Sequence, residues 1–233
     1  MTAKPDHPLD ASAMSALAPL QAPPAQDRRA LRAHLLATRA GLAAGVRAGF
    51  DARIAAALEQ KLAQGGANTT TTTTTGHTGT TGITGTPTTQ GAVAPFTAIA
   101  TYWPMRAEPD LRPLMAAWHA RGLVVALPRV VRPGTPLTFA RWTPDTIVEE
   151  HRYGALLPAD APEVVPELLI IPCVGFDARR YRLGYGGGYY DRTLAGGRFA
   201  SWGVAYECAR LDALAAEAHD RPLDLIVTEA ALY

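Results

Sequence analysis

Cysteine is nearly absent. The chain has two, Cys173 and Cys208, with no C-x-x-C spacing and no cluster with histidine. That excludes a disulfide framework and a thiolate metal site, and it fits a reducing cytoplasm with both thiols buried as small hydrophobes. Net charge is equally scarce, +1 from 22 basic and 21 acidic residues. A protein that grips nucleic-acid backbone usually carries a basic excess, so no nucleic-acid partner is expected. No apolar run approaches the length of a membrane span, and no membrane partner is expected either. Residues 11–22 are mildly apolar, but Asp6 and Asp10 precede them where a secretory leader would be basic. His34, His119, His151 and His219 share no metal-ligand spacing. What remains is 233 residues, 48% hydrophobic and 18% charged, enough for one globular domain with a real core.

Prolines 5, 8, 19, 23 and 24 mark residues 1–25 as a loose arm. A single domain is expected from residue 26 to 233. Asp27 can cap a helix in which Leu31, Leu35, Leu42 and Val46 recur at near-helical spacing. A second helix is expected over Asp51–Gln64, ended by Gly65-Gly66. Residues 65–91 are a threonine and glycine tract with almost nothing to bury, read as a solvated loop inserted between core elements. Strands are expected at 97–103, 123–127, 137–142, 168–173, 199–205 and 223–227. Helices are expected from Asp110 to about Gly122 and over 187–195. Strands separated by helices predict an α/β fold, with helices layered on a largely parallel sheet.

The chemistry concentrates in Ile170–Leu194, IIPCVGFDARRYRLGYGGGYYDRTL, which runs from a buried strand into a helix. Gly184, Gly186, Gly187 and Gly188 let backbone N–H groups approach an oxyanion. The helix that follows offers free N–H groups and the positive end of its dipole. Arg179, Arg180 and Arg182 supply forks for phosphate oxygens. In an open α/β sheet such a loop lies at the carboxyl ends of the strands, where ligands bind. No Lys-Ser/Thr follows the glycines, so this is not a P-loop, and the G-x-G-x-x-G spacing fails as well. A structural turn would account for the glycines alone. The arginines, Tyr189, Tyr190 and Asp191 beside them point to an anion site.

Arg182-Leu-Gly-Tyr-Gly-Gly-Gly-Tyr-Tyr-Asp191, after a strand ending in Pro172–Asp177, resembles the signature of the 5-formyltetrahydrofolate cyclo-ligase family, R-L-G-x-G-x-G-[YF]-Y-D. Further fragments fit in family order: Arg28, Leu31 and Arg32; Tyr102–Glu108; Ala126–Val130; and His219-Asp220 with Leu223–Glu229. The resemblance covers residues 26–64 and 93–233. There are departures: Arg180 stands where the family usually has glycine, Tyr153–Pro158 lacks the family's glutamate before proline, and Ala209 replaces a common glutamine.

The resemblance implies a three-layer α/β/α fold with a largely parallel central sheet, and a cytoplasmic monomer. It implies MgATP-dependent closure of 5-formyltetrahydrofolate to 5,10-methenyltetrahydrofolate: the formyl oxygen takes the γ-phosphoryl group, a folate nitrogen attacks, and phosphate departs. ATP is then held by Arg28, Arg32, Arg182 and the run Gly184, Tyr185, Gly186, Gly187, Gly188, Tyr189 and Tyr190. Arg182 and Tyr189 also act in the reaction, and Tyr189 contacts the folate's formyl group. Glu108 holds the folate ring, with Trp103 near it, and Asp191 is the Mg2+ ligand. Plainer readings stand beside these: a solvated basic face for Arg28 and Arg32, a surface glutamate for Glu108, a helix cap for Asp191, and packing for Tyr190 and Trp103. Two other functions stay open: a same-fold ATP-dependent enzyme acting on another metabolite, and a non-catalytic nucleotide-binding relative.

Overall fold

A computed structural model describes residues 27–65, 96–151, 154–197, 199–218 and 220–233. The expected arm at 1–25, all of the threonine/glycine tract beyond Gly65, and His219 lie outside the described residues.

Helix α1 (Arg28–Ala40) starts as the sequence predicts, with the Asp27 carboxylate accepting from the Ala30 N–H at 2.7 Å. It stops earlier than the leucine spacing suggests. Gly41 is its C-cap, and a separate helix α2 (Ala44–Gly65) begins seven residues before the expected Asp51. Leu42 packs between elements while Val46 is exposed. The i, i+4 match of Leu42 and Val46 therefore comes from a glycine break, not from one continuous stripe.

The main sheet has six strands. In chain order they are β1 (Ala98–Ala100), β2 (Val124–Arg129), β3 (Thr138–Trp142), then, after the hairpin β4 (Glu149–His151) and β5 (Gly154–Leu156), β6 (Leu168–Pro172), and later β9 (Ala200–Val204) and β11 (Leu225–Val227). Their spatial order is β11-β9-β6-β1-β2-β3, and every pairing is parallel except the edge pair β2–β3. The small β7 (Gly175–Asp177), β8 (Arg182–Leu183) and β10 (Arg210–Leu211) form a second, three-stranded sheet. The first strand is shorter than the 97–103 run, because residues 101–111 leave the sheet to build a loop.

Alternation along the strands sends side chains to both faces. Ile99, Val125, Leu127, Leu168 and Ile170 meet Ile54, Leu58 and Leu62 of α2 and Leu114, Met115 and Trp118 of α3 (Arg112–Ala120) on one face. Ala100, Ala126, Leu169 and Ile171 meet Tyr189, Tyr190 and Leu194 of α4 (Tyr189–Gly196) on the other. The layers are thus α/β/α with a mostly parallel sheet. Each of Ile54 and Leu58 is fully buried, and truncating either to alanine would cost about 2–5 kcal/mol. Helix α1 lies apart, its Leu31 and Leu35 packed with Val174, Leu183, Leu211 and Leu214 of the small sheet and its connections. Among the described residues no helix is long and apolar enough to cross a membrane.

Candidate active site

Parallel strands point their carboxyl ends the same way, so the segments after β1, β6 and β9 gather at one edge of the sheet. The segment after β6 makes a tight excursion through β7 and β8 before reaching α4. Asp177 holds its turn: the carboxylate accepts from the backbone N–H of Arg179, Tyr181 and Leu214 and from the Arg179 guanidinium. Arg180 sits in this turn at φ 68°, a left-handed conformation that costs a side-chain-bearing residue about 1–2 kcal/mol. Its Nε donates to the Leu223 carbonyl at 2.9 Å.

Gly184–Gly188 then links β8 to α4. Gly186 has φ 91°, and Gly188, the N-cap of α4, has φ 64°. The loop leaves two arginines beside it. Arg32 donates from Nε to the Gly184 carbonyl at 2.7 Å, and a Cβ on Gly186 would stand 3.4 Å from the Arg32 guanidinium carbon. Burial and the neighbouring charge of Arg28 lower the Arg32 pKa, opposed by the charges of Glu217 and Asp220. Arg182, its side chain 5% exposed, bonds Asp191 at 2.6 Å and the Arg221 carbonyl at 3.3 Å. Asp191 lies in the first turn of α4 but is not its cap, so its carboxylate faces Arg182 instead of closing the helix.

Arg28 and Arg32 do not converge on one point. Arg28 reaches the distant carboxylates of Asp220 at 2.7 Å and Glu217 at 2.8 Å, and its Nε is buried with no hydrogen-bond partner. Neither arginine belongs to a solvated face. Asp220, read from sequence as structural, thereby enters the same neighbourhood, one residue before the Arg221 carbonyl that Arg182 uses.

The loop after β1 carries Glu108, which is 5% exposed and so not a surface glutamate. Its two oxygens accept from the Tyr185 hydroxyl at 2.6 Å and from the Met105 N–H at 2.9 Å. Burial raises its pKa, opposed by the charge of Arg39 and the Tyr185 hydrogen bond. Arg106 and Ala107, just before it, both have positive φ, 49° and 59°. Tyr185 belongs to the glycine loop, so that loop and Glu108 are in direct contact. An open cleft of about 670 Å³ borders Glu108, lined also by Met105, Arg106, Arg47, Asp51 and Tyr206.

Trp103 packs against the α2/α3 side of the core with the Arg112 guanidinium over its ring, and Tyr190 packs on the α4 side. Both are partly buried against the core. Burial, with Glu108 next in effect, raises the Tyr190 pKa. Tyr189 also packs on that side, under the Arg192 guanidinium.

Sequence reasoning missed Arg39. It is 2% exposed and donates to the Tyr185 hydroxyl at 2.7 Å and the Arg106 carbonyl at 3.1 Å. A signal existed. At 100° per residue, positions 28, 32 and 39 fall within about 40° of one another on α1. Cys173 and Cys208 are buried and free, as expected. Among the described residues no group of three or more histidine, cysteine or carboxylate ligands gathers as a metal centre.

The family model described as the 5-formyltetrahydrofolate cyclo-ligase family matches residues 24–229. The 5-formyltetrahydrofolate cyclo-ligase of Haemophilus influenzae is 35% identical over 140 residues, 55% of this chain and 74% of that protein. The enzyme of the same name from Escherichia coli K12 is 32% identical over 145 residues, 58% of this chain and 79% of that protein. Among solved structures, the NMR structure of Aquifex aeolicus 5,10-methenyltetrahydrofolate synthetase shares the fold with a TM-score of 0.67 at 23% identity, covering 89% of this chain and 92% of that one. A 5,10-methenyltetrahydrofolate synthetase from Mycoplasma pneumoniae does so with a TM-score of 0.59 at 23% identity, covering 88% and 99%.

Proposed function

Because the chain belongs to the 5-formyltetrahydrofolate cyclo-ligase family, we propose that it converts 5-formyltetrahydrofolate to 5,10-methenyltetrahydrofolate while ATP becomes ADP and phosphate. An amide-like formyl oxygen is a poor leaving group. Taking the γ-phosphoryl group turns it into phosphate and makes the formyl carbon more electrophilic. The neighbouring folate nitrogen then attacks that carbon, the carbon–oxygen bond breaks, and phosphate leaves.

The protein's part is positioning and charge. Arg32, Arg182 and the N–H groups of Gly184–Gly188 bind the phosphates, and Arg28 stands behind them on α1. The left-handed glycines and the half-buried guanidinium of Arg32 beside them suit a phosphate. Tyr185 and Tyr190 flank the loop, and Tyr189 orients the formyl group. Glu108 accepts from the N–H edge of the folate ring, in the cleft bordered by Trp103's loop. Asp191 is the carboxylate that would hold magnesium; a hard carboxylate oxygen fits an ion that takes few carboxylates plus phosphate oxygens and water. Magnesium held there would offset charge on the transferring phosphoryl group. The two buried thiols suit a cytoplasmic enzyme, and we take it to work as a monomer built on one domain from residue 26.

One observation carries this reading: the Tyr185 hydroxyl, inside the phosphate loop, donates to the folate-facing Glu108 at 2.6 Å. Donor and acceptor of the phosphoryl group would therefore sit side by side. The test is to incubate the protein with MgATP and 5-formyltetrahydrofolate and follow the absorbance of the methenyl product. Product formation dependent on both substrates is expected. ATP consumption only with a different metabolite, or ATP binding with no turnover at all, would refute it.

A further inference from the structure

Three groups are chained across the site. Arg39 Nη2 donates to the Tyr185 hydroxyl at 2.7 Å, and that hydroxyl lies 2.6 Å from Glu108 Oε1. Arginine has no acceptor, so the hydroxyl must accept from Arg39, and its single proton must go to the carboxylate. Arg39 thus fixes the tyrosine rotor in the direction that favours an ionised Glu108. The other carboxylate oxygen is held by the Met105 N–H, and Arg39 also pins the strained Arg106 carbonyl at 3.1 Å. Arg39 of α1 is therefore tied to the Glu108 loop twice, directly at Arg106 and through Tyr185 at Glu108.

We propose that Arg39 is a positioning residue which, through Tyr185, orients Glu108 toward the folate and sets it in register with the phosphate loop. This rests on the reading that Glu108 receives the folate ring. Arg39's own hydrogen bonds go to the Tyr185 hydroxyl and the Arg106 carbonyl. Its effect is to make the acceptor geometry of Glu108 depend on one hydroxyl.

The groups whose charges bear on Glu108 are Arg39 from α1, Tyr185 from the glycine loop, Arg106 on its own loop, Tyr102 beyond β1, Cys173 beyond β6 and Tyr190 from α4, and Arg47 and Asp51 of α2, Asp110, Arg112 and Tyr206 line the same cleft. Arg39 and Arg106 are the cations that hold the Glu108 pKa down. Burial raises the Glu108 pKa, and Arg39 and Tyr185 hold it down. Losing either one lets the carboxyl protonate at a higher pH. Protonation removes an acceptor from the folate N–H edge, so the acid limb of kcat/KM for folate should move upward.

The experiment compares wild type with Tyr185→Phe, Arg39→Met and Arg39→Lys. Tyr185→Phe and Arg39→Met should each raise the KM for 5-formyltetrahydrofolate about tenfold, the scale of one charge-assisted hydrogen bond, and in Arg39→Met the KM for ATP should move less than about twofold. The acid limb for folate should shift up by about one pH unit in both. The lysine variant keeps the charge without the planar fork and should recover part of each effect. The double variant should be no worse than the worse single one, because Arg39 acts through Tyr185. A second measurement needs no turnover: carbon-13 NMR titration of the Glu108 carboxyl, its signal identified by loss in Glu108→Gln, should show its pKa rise by about one unit in Tyr185→Phe. A wild type that makes no methenyl product would defeat the assigned reaction, while the titration still decides the chain of contacts. If Arg39→Met does not fold, Tyr185→Phe, which keeps the ring, carries the decision. Equal rises in both KM values with an unmoved Glu108 pKa would overturn the proposal and leave Arg39 a packing residue.

Discussion

Replacing Gly186 by alanine perturbs the phosphate loop by a single methyl group. Gly186 has φ 91°, beyond the left-handed optimum, where an L residue loses about 1–2 kcal/mol. The new Cβ would lie 3.4 Å from the guanidinium carbon of Arg32, which must yield by a few tenths of an ångström. That arginine is anchored by its 2.7 Å bond to the Gly184 carbonyl, so the crowding adds to the backbone cost. We expect a loss of about 2 kcal/mol, and chains of this size melt about 2–4 °C lower per kcal/mol, giving a fall of about 4–8 °C. Displacing Arg32 from the phosphates should also raise the KM for ATP about tenfold, the value of one charge-assisted hydrogen bond. Thermal melting by circular dichroism and steady-state kinetics read the two effects. Gly184→Ala is the internal control, since no atom lies within 4 Å of its Cβ position and its φ is not positive; its melting temperature should stay within about 2 °C. A Gly186→Ala protein that melts with wild type and keeps its ATP affinity would show that the loop conformation described above is wrong.

Asp177→Ala strands three backbone donors and the Arg179 guanidinium, and should cost about 3–5 kcal/mol in denaturant titration; a loss below about 1 kcal/mol would mean that the turn is held some other way. Asp191→Asn should abolish magnesium-dependent turnover with an unchanged circular dichroism spectrum, and undiminished turnover would remove the metal role. Burial pushes the Cys173 thiol up to about 12 and the Cys208 thiol up to about 11. A disulfide colour reagent at neutral pH should therefore find no thiol in the native protein and two in denaturant, whereas rapid native labelling would reveal local opening.

The buried strands were readable because an apolar run such as Leu168–Ile171 has few alternatives to a covered sheet. The phosphate loop was readable because glycines, arginines and an aspartate together suit little besides an anion. The helix break at Gly41 was hidden by Leu42 and Val46, whose spacing imitates a continued stripe. Asp220 and Arg39 were hidden for another reason. Their partners, Arg28 and Tyr185, lie 192 and 146 residues away, and no local period encodes such a pairing. Arg180 shows how a departure from the family pattern acquires physical meaning. It replaces the usual glycine at φ 68°, so the turn keeps its left-handed shape with a side chain in it, secured by the bond to Leu223.

The contact between Arg28 and Asp220 also sets a timetable. It joins residues 192 apart, and the groups around the glycine loop come from α1 and from residues 217–221. A growing polypeptide emerging from the ribosome therefore has no finished pocket until residue 220 has been made. Such distant closures are slow to form. A nascent or prematurely terminated chain ending before residue 217 would leave Arg28 without either carboxylate, so nucleotide binding should arise late and all at once, not in stages during synthesis.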